Sequence, residues 1–560
     1  MATKFQELAE LCDRLEVTSS RISMVNLVAD FLKALGSDEV EPAIRMVIGR
    51  PLPSWDPRRL NVSYVTLINV VQKLTGADYK QFLEAFHRTG DAGAAAKLLM
   101  ESKPTKRQQI LTQTPLTINE VYRGIEFTAE VTGPGSRVKK RRLVEALFSR
   151  ATPIEVKYLL KNFGEEMRHG FNEGLMEEAI ARAFDVTLEQ VRRANMLTSD
   201  LGLVAKIAKG KGKEGLEKLG VTLFHPIKPM LAEAAQNVKE ALEEHGGTTS
   251  LEYKLDGARV QIHKSANQVC IFSRHLADVT DSLPDIVKLI KQEIKANTAI
   301  IEGELIAVGF DGEPRPFQFI MQRFRRVKGI EEKLEETPVT LYLFDALYVN
   351  GQSLIDLPYL ERRKRLIAIA GSIPLTEEMI ASNAEEAQQF FDKSLTDGHE
   401  GLVAKQIDSA YTPGVRGKKW LKLKRILDTL DLVIVAADYG YGHRHAWLSD
   451  YHLAARDTET NKLEVIGKCF TGLTNDEIKA MTQRLKELAI AERERTVIVQ
   501  PKIVLEIAFS EIQKSPQYKS GYALRFARIL RIREDKSAEE ADTIQRVKQI
   551  YDQQFKAKSL

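Results

Sequence analysis

Hydrophobic residues recur at helical spacing through roughly the first two hundred positions, whereas later segments alternate as strands do. The clearest helical stretches are 5-FQELAELCDRL-15, 24-MVNLVADFLKAL-35 and 174-GLMEEAIARAF-184. Three serines just before or at the start of the second stretch are candidate N-caps. Strand patterns are scarce here, so the sequence predicts an all-helical module over residues 1–215. Its basic, glycine-broken end, 205-AKIAKGKGKEG-215, is typical of a linker.

The pattern changes at about residue 245 to short strands alternating with helices. Strands are predicted at 298-TAIIEGELIAV-308, 339-VTLYLFDALYV-349 and 401-GLVAKQ-406. Beyond about residue 428 several short strands follow one another, which favours a small β-barrel, and a polar helical tail is predicted over 538–557. The fold class is therefore multidomain: an all-α module over 1–215, an α+β domain over 216–427 and a β-barrel over 428–560.

The stretch 251-LEYKLDGARVQIH-263 alternates apolar and polar positions on both sides of Asp256-Gly257. Asp-Gly is a dipeptide that favours a tight hairpin turn. Lys254 falls on the polar face, among other charged residues. By itself, this pattern predicts an amphipathic hairpin with a solvated charged face.

Composition narrows the class of protein. With 43% hydrophobic and 28% charged residues, the 560-residue chain is typical of globular proteins with more than one domain. No apolar run approaches the length of a membrane span and the N-terminus lacks a signal-peptide core, so no membrane association is expected. Cys12, Cys270 and Cys469 form neither a disulfide framework nor a four-cysteine zinc site. A net charge of +4 permits nucleic-acid binding without requiring it.

Several predicted strands carry charged residues where a core would need apolar ones. These residues are Glu302, Glu304, Glu400, Lys422 and Lys424. Singly, each fits a strand with one solvated face. Together with Lys254 they supply a nucleophile, carboxylates and cations, which are the groups that phosphoryl transfer requires.

Short motifs follow one another in a fixed order along the chain. The series is Lys254-x-Asp256-Gly257-x-Arg259, Ser273-Arg274, 302-EGE-304, 342-YLFDALY-348, 400-EGLVAK-405, 420-WLKLK-424 and 533-REDK-536. It resembles the motif series of the covalent nucleotidyltransferases: DNA ligases, RNA ligases and capping enzymes. Flanking stretches such as 225-HPIKPMLAE-233 and 413-PGVRGKKWLKLK-424 resemble the ATP-dependent DNA ligases of archaeal and eukaryotic type, along essentially the whole chain.

The resemblance implies a three-step reaction that seals nicks in double-stranded DNA. Lys254 would attack the α-phosphate of ATP, release pyrophosphate and form a lysyl-adenylate. AMP would pass to the 5′-phosphate at the nick, and the 3′-hydroxyl would then displace it. Because an ammonium group is not a nucleophile, Lys422, Lys424 and bound Mg²⁺ are expected to lower the pKa of Lys254.

The resemblance also implies the nucleotide contacts. Glu252 would contact the adenine and Phe344 would stack on it. The other implied contacts are Arg259 and Arg274 at the ribose and phosphates, Glu304 and Glu400 at the ribose and at Mg²⁺ or Mn²⁺, Arg416 and Lys422 at the α-phosphate, and Asp256 near the metal. Adenylation and OB-fold domains would then correspond to the α+β domain and the barrel.

The resemblance also implies functions for two further parts of the chain. Arg533, Asp535 and Lys536 would orient the leaving pyrophosphate, after which the barrel would swing away on a hinge at 425-RILDTLD-431. The helical module would be the DNA-binding domain, gripping the duplex backbone with cations such as those of 138-VKKRR-142.

The sequence differs from the motifs usual in the family at two positions. In 168-RHGFNEGLMEEAIARAF-184, which resembles a family signature at a helix N-terminus, the family has a smaller residue than Phe171. Ser273-Arg274-His275 commonly ends in asparagine in the family. Both departures concern local contacts.

The expected partner is nicked DNA, and the expected state is a monomer in the prokaryotic cytoplasm, associated with the nucleoid and serving replication, repair and recombination. Some relatives bind a sliding clamp through a glutamine-and-aromatic segment. The corresponding stretch, 108-QQILTQT-114, begins at Gln108 and has no paired aromatics, which disfavours clamp contact there.

The sequence argues against three alternatives. An NAD-dependent ligase would need a cysteine-ligated zinc module, which three scattered cysteines cannot supply, and an N-terminal nicotinamide-recognition segment, which nothing here suggests. An RNA ligase or capping enzyme is disfavoured by the large helical module. A non-catalytic DNA-binding clamp would have no need for the lysine, the carboxylates and the R-x-D-K segment.

Overall fold

The structure is a computed structural model in which the chain forms two compact units. It describes residues 2–102, 114–309, 314–315, 317–324, 338–412, 416–424, 429–460 and 462–556. The first unit comprises Met1–Arg88, Ala92–Ser394 and Glu400–Leu423, and the second comprises Thr89–Asp91, Leu395–His399 and Lys424–Leu560. Within the described stretches, no helix is both long and apolar enough to cross a membrane.

The first unit begins with the helices that the periodicity predicts. They are α1 Phe5–Val17, α2 Arg21–Ala34, α3 Val40–Val47, α4 Tyr64–Thr75, α5 Tyr79–Thr89, α6 Ala92–Ser102, α7 Ile118–Glu130, α8 Ser136–Arg150, α9 Pro153–Phe163, α10 Glu173–Phe184, α11 Leu188–Thr198 and α12 Leu201–Glu217. Ser20 caps α2 by accepting a hydrogen bond from the Ser23 amide. Their apolar faces form one continuous core.

The stretch 205-AKIAKGKGKEG-215 is helical, so its interpretation as a linker is wrong. It lies within α12, which begins at the N-cap Asp200. Ala205 and Ala208 are buried against the other helices. The helical geometry is interrupted only at Gly212, with φ 54° and ψ −148°. Packing of one apolar stripe therefore outweighs the low helix propensity of the glycines.

Two sheets with flanking helices follow in the first unit. The strands are β1 Leu231–Ala234, β2 Thr249–Tyr253, β3 Ala258–Ser265, β4 Gln268–Ser273, β5 Thr298–Val308, β6 Pro314–Arg315, β7 Val339–Val349, β8 Gln352–Ser353, β9 Glu378–Ala381, β10 Gly401–Lys405 and β11 Arg416–Lys424. The helices are α13 Val238–Glu244, α14 Pro284–Glu293, α15 Phe317–Phe324, α16 Tyr359–Ile369 and α17 Ala384–Thr396. One sheet has the order β1-β11-β10-β2-β9, and the other β4-β3-β5-β7-β8 with β6 on β5. The strands predicted at 298–308 and 339–349 have those bounds.

The hairpin predicted at Asp256-Gly257 is wrong, because β2 and β3 belong to different sheets. Gly257 is needed for a close approach: a Cβ there would lie 2.3 Å from the Leu305 carbonyl oxygen. All of β2 is buried, so it has no solvated face. Lys254 therefore follows a buried strand at the crossing between two sheets.

The second unit contains the predicted barrel. Its elements are β12 Leu430–Tyr439, β13 Leu448–Arg456, β14 Leu463–Cys469, α18 Asn475–Glu487, β15 Ala489–Arg493, β16 Thr496–Val499, β17 Val504–Ala508, β18 Glu511–Lys514, β19 Tyr522–Arg525, β20 Arg528–Ile532 and α19 Ile544–Lys556. The main sheet runs β14-β13-β12-β16-β15, with β17 joining β12 to β20, and β18 pairs with β19. Arg525, Arg528 and Arg531 lie on the strands β19 and β20.

Candidate active site

Lys254 is aligned with Glu400 by backbone pairing at the end of β2. The Lys254 amide donates to the Gly401 carbonyl at 2.8 Å, and the Glu400 amide donates to the Lys254 carbonyl at 3.0 Å. The Lys254 Nζ then lies 2.6 Å from Oε2 of Glu400, and the two side chains remain 25% and 29% exposed. A lysine and a carboxylate thus form an ion pair whose side chains are partly exposed, while the paired Oε2 atom of Glu400 is buried.

The charges around Lys254 hold it in the ammonium form. Burial by itself would lower its pKa, but the carboxylates of Glu400, Glu304 and Asp256 outweigh burial, so the pKa of Lys254 is raised. The expected lowering of this pKa by Lys422, Lys424 and bound Mg²⁺ together stays a prediction. Carboxylates, rather than lysines, dominate the field at Nζ.

Burial destabilises the charged form of the Glu304 carboxyl group. It lies on β5 directly across from Arg259 on β3. Desolvation raises the pKa of the half-buried Glu304 to about 7; Lys254 and Arg259 act against this rise, whereas Glu400 and Asp256 add to it. A carboxyl group that titrates near neutral pH would gain from a bound cation.

The carboxylates fit a divalent ion held in the Mg²⁺ manner. In the described part of the chain no three His, Cys, Asp or Glu side chains are arranged to enclose a metal. Mg²⁺ commonly binds through only one or two carboxylates, with waters and substrate phosphates completing its coordination. Glu304 and Glu400, which both act on the Lys254 ammonium, match that donor set.

The raised pKa of Glu304 predicts a pH-dependent stability in metal-free buffer. The folded protein binds the Glu304 proton more tightly than the unfolded chain, so the stability that the protonated group contributes is lost as pH rises from about 4.5 to about 7. Relative to a Glu304→Gln variant, the unfolding free energy of the wild type should fall by ~1–2 kcal/mol over that interval, allowing for solvent screening. Denaturant unfolding of both proteins at several pH values measures the difference. A difference that stays constant with pH would contradict the raised pKa.

Glu252 lies in a buried polar network instead of on an open strand face. Its Oε1 accepts from Lys405 Nζ at 2.7 Å and from the Tyr359 hydroxyl, and its Oε2 accepts from the Thr376 hydroxyl at 2.8 Å. Burial would raise the pKa of Glu252, but Lys405 and Arg363 outweigh it, so the pKa is lowered. Glu252 is therefore an ionised acceptor fixed from several sides.

Phe344 connects this network to Arg259. The Lys405 Nζ lies 4.9 Å from the centre of the Phe344 ring and 4.6 Å from the Trp420 ring. The Arg259 guanidinium carbon lies 5.3 Å from the same Phe344 ring. The fold thus gathers Glu252, Arg259 and Phe344, which are far apart in sequence, around one aromatic cluster.

The remaining predicted residues of the first unit are more peripheral. Arg274 is exposed in the turn after β4, and no hydrogen bond to it is found among the described residues. Arg416 begins β11, and its side chain lies outside the described residues. Along β11, Lys422 is half-buried and Lys424 is exposed, while Leu421 and Leu423 are buried.

The R-x-D-K segment forms a small ion-pair cluster in the second unit. Arg533 contacts Asp535 through Nε at 2.9 Å and Nη2 at 2.7 Å. Arg533 Nη1 and Lys536 Nζ both donate to Oδ2 of Asp431, at 2.9 Å and 2.6 Å. Hydrogen bonds from Arg533 hold the pKa of Asp535 well below its usual range. Asp431 was not predicted, and most of the proposed hinge, residues 425–428, lies outside the described residues.

Two side chains from segments singled out in the sequence, Phe171 and Lys140, are buried inside the helical module. Phe171 is buried just before α10, where its amide donates to Nδ1 of His169 at 3.2 Å. Lys140, within the cationic stretch 138–142, is also buried and donates to the Leu60 carbonyl at 2.6 Å. Its neighbours in that stretch are exposed.

Comparison with known proteins identifies the family. Three family models match: DNA ligase N terminus over residues 4–181, ATP dependent DNA ligase domain over 229–424, and ATP dependent DNA ligase C terminal region over 444–536. The DNA ligase of Thermococcus fumicolans is 44% identical over 560 residues, which cover 99% of this chain and 100% of the relative. This chain belongs to the ATP-dependent DNA ligases.

Further relatives of this ligase agree. DNA ligase 1 of Korarchaeum cryptofilum is 46% identical over 553 residues, which cover 98% of this chain and 99% of the relative. The solved structure Pmar-Lig_PreS3 is 15% identical with a TM-score of 0.57 and covers 94% of this chain and 99% of its own, which supports the fold alone. The enzyme seals nicks in DNA by ATP-dependent ligation. The family resemblance and the three-part fold class are confirmed, and the alternatives are set aside.

Several residues of the site were missed from the sequence. Lys405, Tyr359 and Tyr411 all contact predicted site residues, and Asp431 anchors the R-x-D-K segment. Lys405 lies inside the quoted motif 400-EGLVAK-405, so the motif could have indicated it as a site residue. Nothing in the pattern indicated the other three, because their partners are distant in sequence.

Proposed function

We propose that Lys254 is the residue that carries AMP during nick sealing. The observation that supports this role is the 2.6 Å ion pair between Lys254 Nζ and Glu400, set among the carboxylates of Glu304 and Asp256. After losing its proton, Nζ would form a bond to the α-phosphorus of ATP as the bond to pyrophosphate breaks. AMP would then pass to the 5′-phosphate of nicked double-stranded DNA, and attack by the 3′-hydroxyl would complete the phosphodiester.

The deprotonation of Lys254 would require that the carboxylate charges around it be offset. Glu400, whose Oε2 lies 2.6 Å from the Lys254 Nζ, contributes most of the charge that holds the proton. Glu304 and Glu400 would hold Mg²⁺ or Mn²⁺, and the ion would neutralise the carboxylate charge that otherwise raises the pKa of Lys254. Lys422 and Lys424 would act on the phosphates, together with Arg416, where cations stabilise the developing charge.

The nucleotide would lie against the cluster around Phe344. Phe344 would stack on the adenine, and Glu252 would accept a hydrogen bond from its amino group. Arg259 and Arg274 would contact the ribose and the phosphates. The proximity of Phe344 to Lys405 and Arg259, at 4.9 Å and 5.3 Å, supports grouping these contacts at one end of the site.

Glu252 should make the enzyme discriminate between ATP and GTP. Adenine presents an amino donor where guanine presents a carbonyl oxygen, which a carboxylate would repel. The mismatch should disfavour GTP by ~1–3 kcal/mol, about ten- to a hundredfold in the rate of adenylate formation. A Glu252→Gln variant keeps the side-chain volume and offers guanine a donor, so the gap between ATP and GTP should narrow. The rate of Lys254 labelling with each nucleotide measures it.

A matched control for Glu252 is available in the same network. Glu378 accepts from Ser250 at 2.5 Å and from Tyr359 at 3.1 Å but has no proposed contact with the base. Glu378→Gln should therefore leave the ATP preference unchanged. Equal labelling of the wild type by GTP, or full discrimination by Glu252→Gln, would show that Glu252 does not read the base.

Each domain would have its own function, with the bounds that the sequence indicates. Residues 1–215 would grip DNA, 216–427 would carry the adenylate, and 428–560 would form the OB-fold domain, whose Arg533, Asp535 and Lys536 orient pyrophosphate. We further propose a monomer associated with the prokaryotic nucleoid that serves replication, repair and recombination. Clamp contact near Gln108, which lies outside the described residues, is not part of this proposal.

A further inference from the structure

The chain passes from the helices to the two sheets through residues 224–230, 224-FHPIKPM-230, here called the junction segment. The end of α11 and the turn after it hold one side of this segment. Ser199 donates from its hydroxyl to the Pro226 carbonyl at 2.7 Å, and the Lys228 amide donates to the Met196 carbonyl at 3.1 Å. The junction segment is therefore fastened to the helical module.

An aromatic contact strengthens the same attachment. The ring of Trp55 stacks on His225 with a centroid distance of 4.4 Å and an interplanar angle of 27°. The Trp55 indole Nε1 donates to the Thr198 carbonyl at 3.2 Å, which links the stack to the end of α11. Trp55 thus joins the helices to the junction segment at a point far from the nucleotide contacts in sequence.

The other side of the junction segment is fastened to β3. The Gln261 amide group accepts from the Ile227 N–H at 2.7 Å and donates to the Ile227 carbonyl at 3.0 Å. Burial lowers the pKa of His263 to about 3, so its ring is neutral. Its Nδ1 accepts from the Phe224 amide at 2.9 Å, and its Nε2–H donates to Gln261 at 3.0 Å. These bonds fix Phe224 in a left-handed conformation, with φ 65°.

The last residue of the junction segment holds Arg259. The Met230 carbonyl accepts from Arg259 Nη1 at 2.7 Å, and the Met230 amide donates to the Tyr411 hydroxyl at 3.0 Å. Tyr411 donates in turn to Glu302 at 2.8 Å, and Glu302 accepts from Arg259 Nη2 at 2.7 Å. Both terminal nitrogens of the guanidinium are therefore fixed, with its face 5.3 Å from the Phe344 ring.

We propose that the helical module positions Arg259 through the junction segment, and that Trp55 and Tyr411 are positioning residues for the nucleotide step. The helices would then affect the use of ATP even without DNA, which a module that only grips DNA would not do. This inference rests on the proposed contact between Arg259 and the nucleotide. Neither Trp55 nor Tyr411 has a proposed contact with substrate.

The test is adenylation of the full-length enzyme without DNA, measured as initial rates over a range of ATP concentrations with Mg²⁺. Trp55→Ala removes the stack on His225. Tyr411→Phe removes the hydroxyl between Met230 and Glu302, which also accepts from Arg259 Nη2 at 3.2 Å. Each should raise the ATP concentration that gives half of the maximal adenylation rate, here called the KM for ATP, about three- to tenfold, the effect of losing about one buried hydrogen bond or ring contact. The maximal rate of this single turnover should stay within about twofold. Trp55→Phe keeps a stacked ring and should restore most of the wild-type KM.

A matched control separates positioning from loss of structure. Tyr158 is buried in the helical core, where its hydroxyl bonds to Asp13 at 3.2 Å and to Glu16 at 3.1 Å, away from the junction segment. Tyr158→Phe should lower the melting temperature and leave the KM unchanged, because a smaller folded fraction lowers only the amount of enzyme that acquires AMP. If Trp55→Ala does not fold, Ser199→Ala takes its place, because it removes the hydrogen bond to the Pro226 carbonyl and should also raise the KM.

The outcomes separate this inference from the proposed contact of Arg259. Arg259→Gln, measured in parallel, should also raise the KM for ATP. An unchanged KM in Arg259→Gln would contradict the nucleotide contact itself. A raised KM in Arg259→Gln with an unchanged KM in Trp55→Ala would overturn the junction inference alone, whatever Tyr411→Phe shows, because Tyr411 also bonds directly to Arg259. An equal rise in Tyr158→Phe would overturn it too.

Discussion

The Lys254→Arg variant should fold as the wild type does and acquire no AMP. An arginine can keep the ion pair with Glu400, because the lysine side chain is 25% exposed. A guanidinium group stays protonated, however, and has no nucleophilic form at accessible pH. Adenylate formation should fall by at least about a thousandfold. Intact mass after incubation with ATP and Mg²⁺ should show one added AMP on the wild type and none on the variant.

A second lysine in the same unit provides the control. Lys393 forms an ion pair with Glu377 at 2.6 Å, with both side chains about half exposed, and has no proposed role in the chemistry. Lys393→Arg should acquire AMP at the wild-type rate. An adduct on Lys254→Arg, or an adduct mapped to a peptide without Lys254, would show that another residue is the nucleophile.

The Lys536→Ala variant should lose the first step and keep the last. Its ammonium and the guanidinium of Arg533 share Asp431 Oδ2, so the alanine variant leaves Asp431 paired with Arg533 and the barrel intact. If Lys536 orients pyrophosphate, adenylation by ATP should fall by about a hundredfold or more. A nick that already carries a 5′-AMP needs no pyrophosphate chemistry and should still be sealed at a useful rate. Both rates can be measured on the same preparation.

Glu534 tests whether loss of any charged residue in this segment impairs the first step. Glu534 lies between Arg533 and Asp535 but pairs on the surface with Arg484, at 2.6 Å and 3.1 Å. Exposed ion pairs of this kind contribute about 1 kcal/mol at most. Glu534→Ala should therefore leave both steps near wild type. Equal losses of both steps in Lys536→Ala would mean that the segment serves every step, or that the barrel is damaged.

The sequence by itself determined the elements and the chemistry that the motifs carry. Helical periodicity located α1, α2 and α10, because an apolar stripe must face a core at 3.6-residue spacing. Alternation located β5 and β7 with the correct ends, and it placed Lys422 and Lys424 on the face opposite two buried leucines. The ordered motifs were sufficient for the family, since nucleophile, carboxylates and cations must all be present for nucleotidyl transfer.

Local signals failed where distant segments competed with them. The Asp256-Gly257 dipeptide favours a hairpin, but β2 and β3 gain more from pairing in separate sheets, and the glycine is needed where the chain passes the Leu305 carbonyl. The glycines of 205–215 favour a linker, but the apolar stripe of α12 packs against other helices. In both cases the burial of apolar surface outweighed a preference of the local backbone.

Only the tertiary structure decided the electrostatics and the supporting contacts of the site. The raised pKa of Lys254 depends on Glu304 and Glu400, which are 50 and 146 positions away in sequence, and the order of the strands sets their distances. The same holds for Lys405 beneath Glu252 and for Tyr411 beside Arg259. A charge acts through space over a few ångströms, whereas a sequence pattern records only neighbours along the chain. Residue types were therefore readable from the sequence, but the sign of the pKa shift at Lys254 was not.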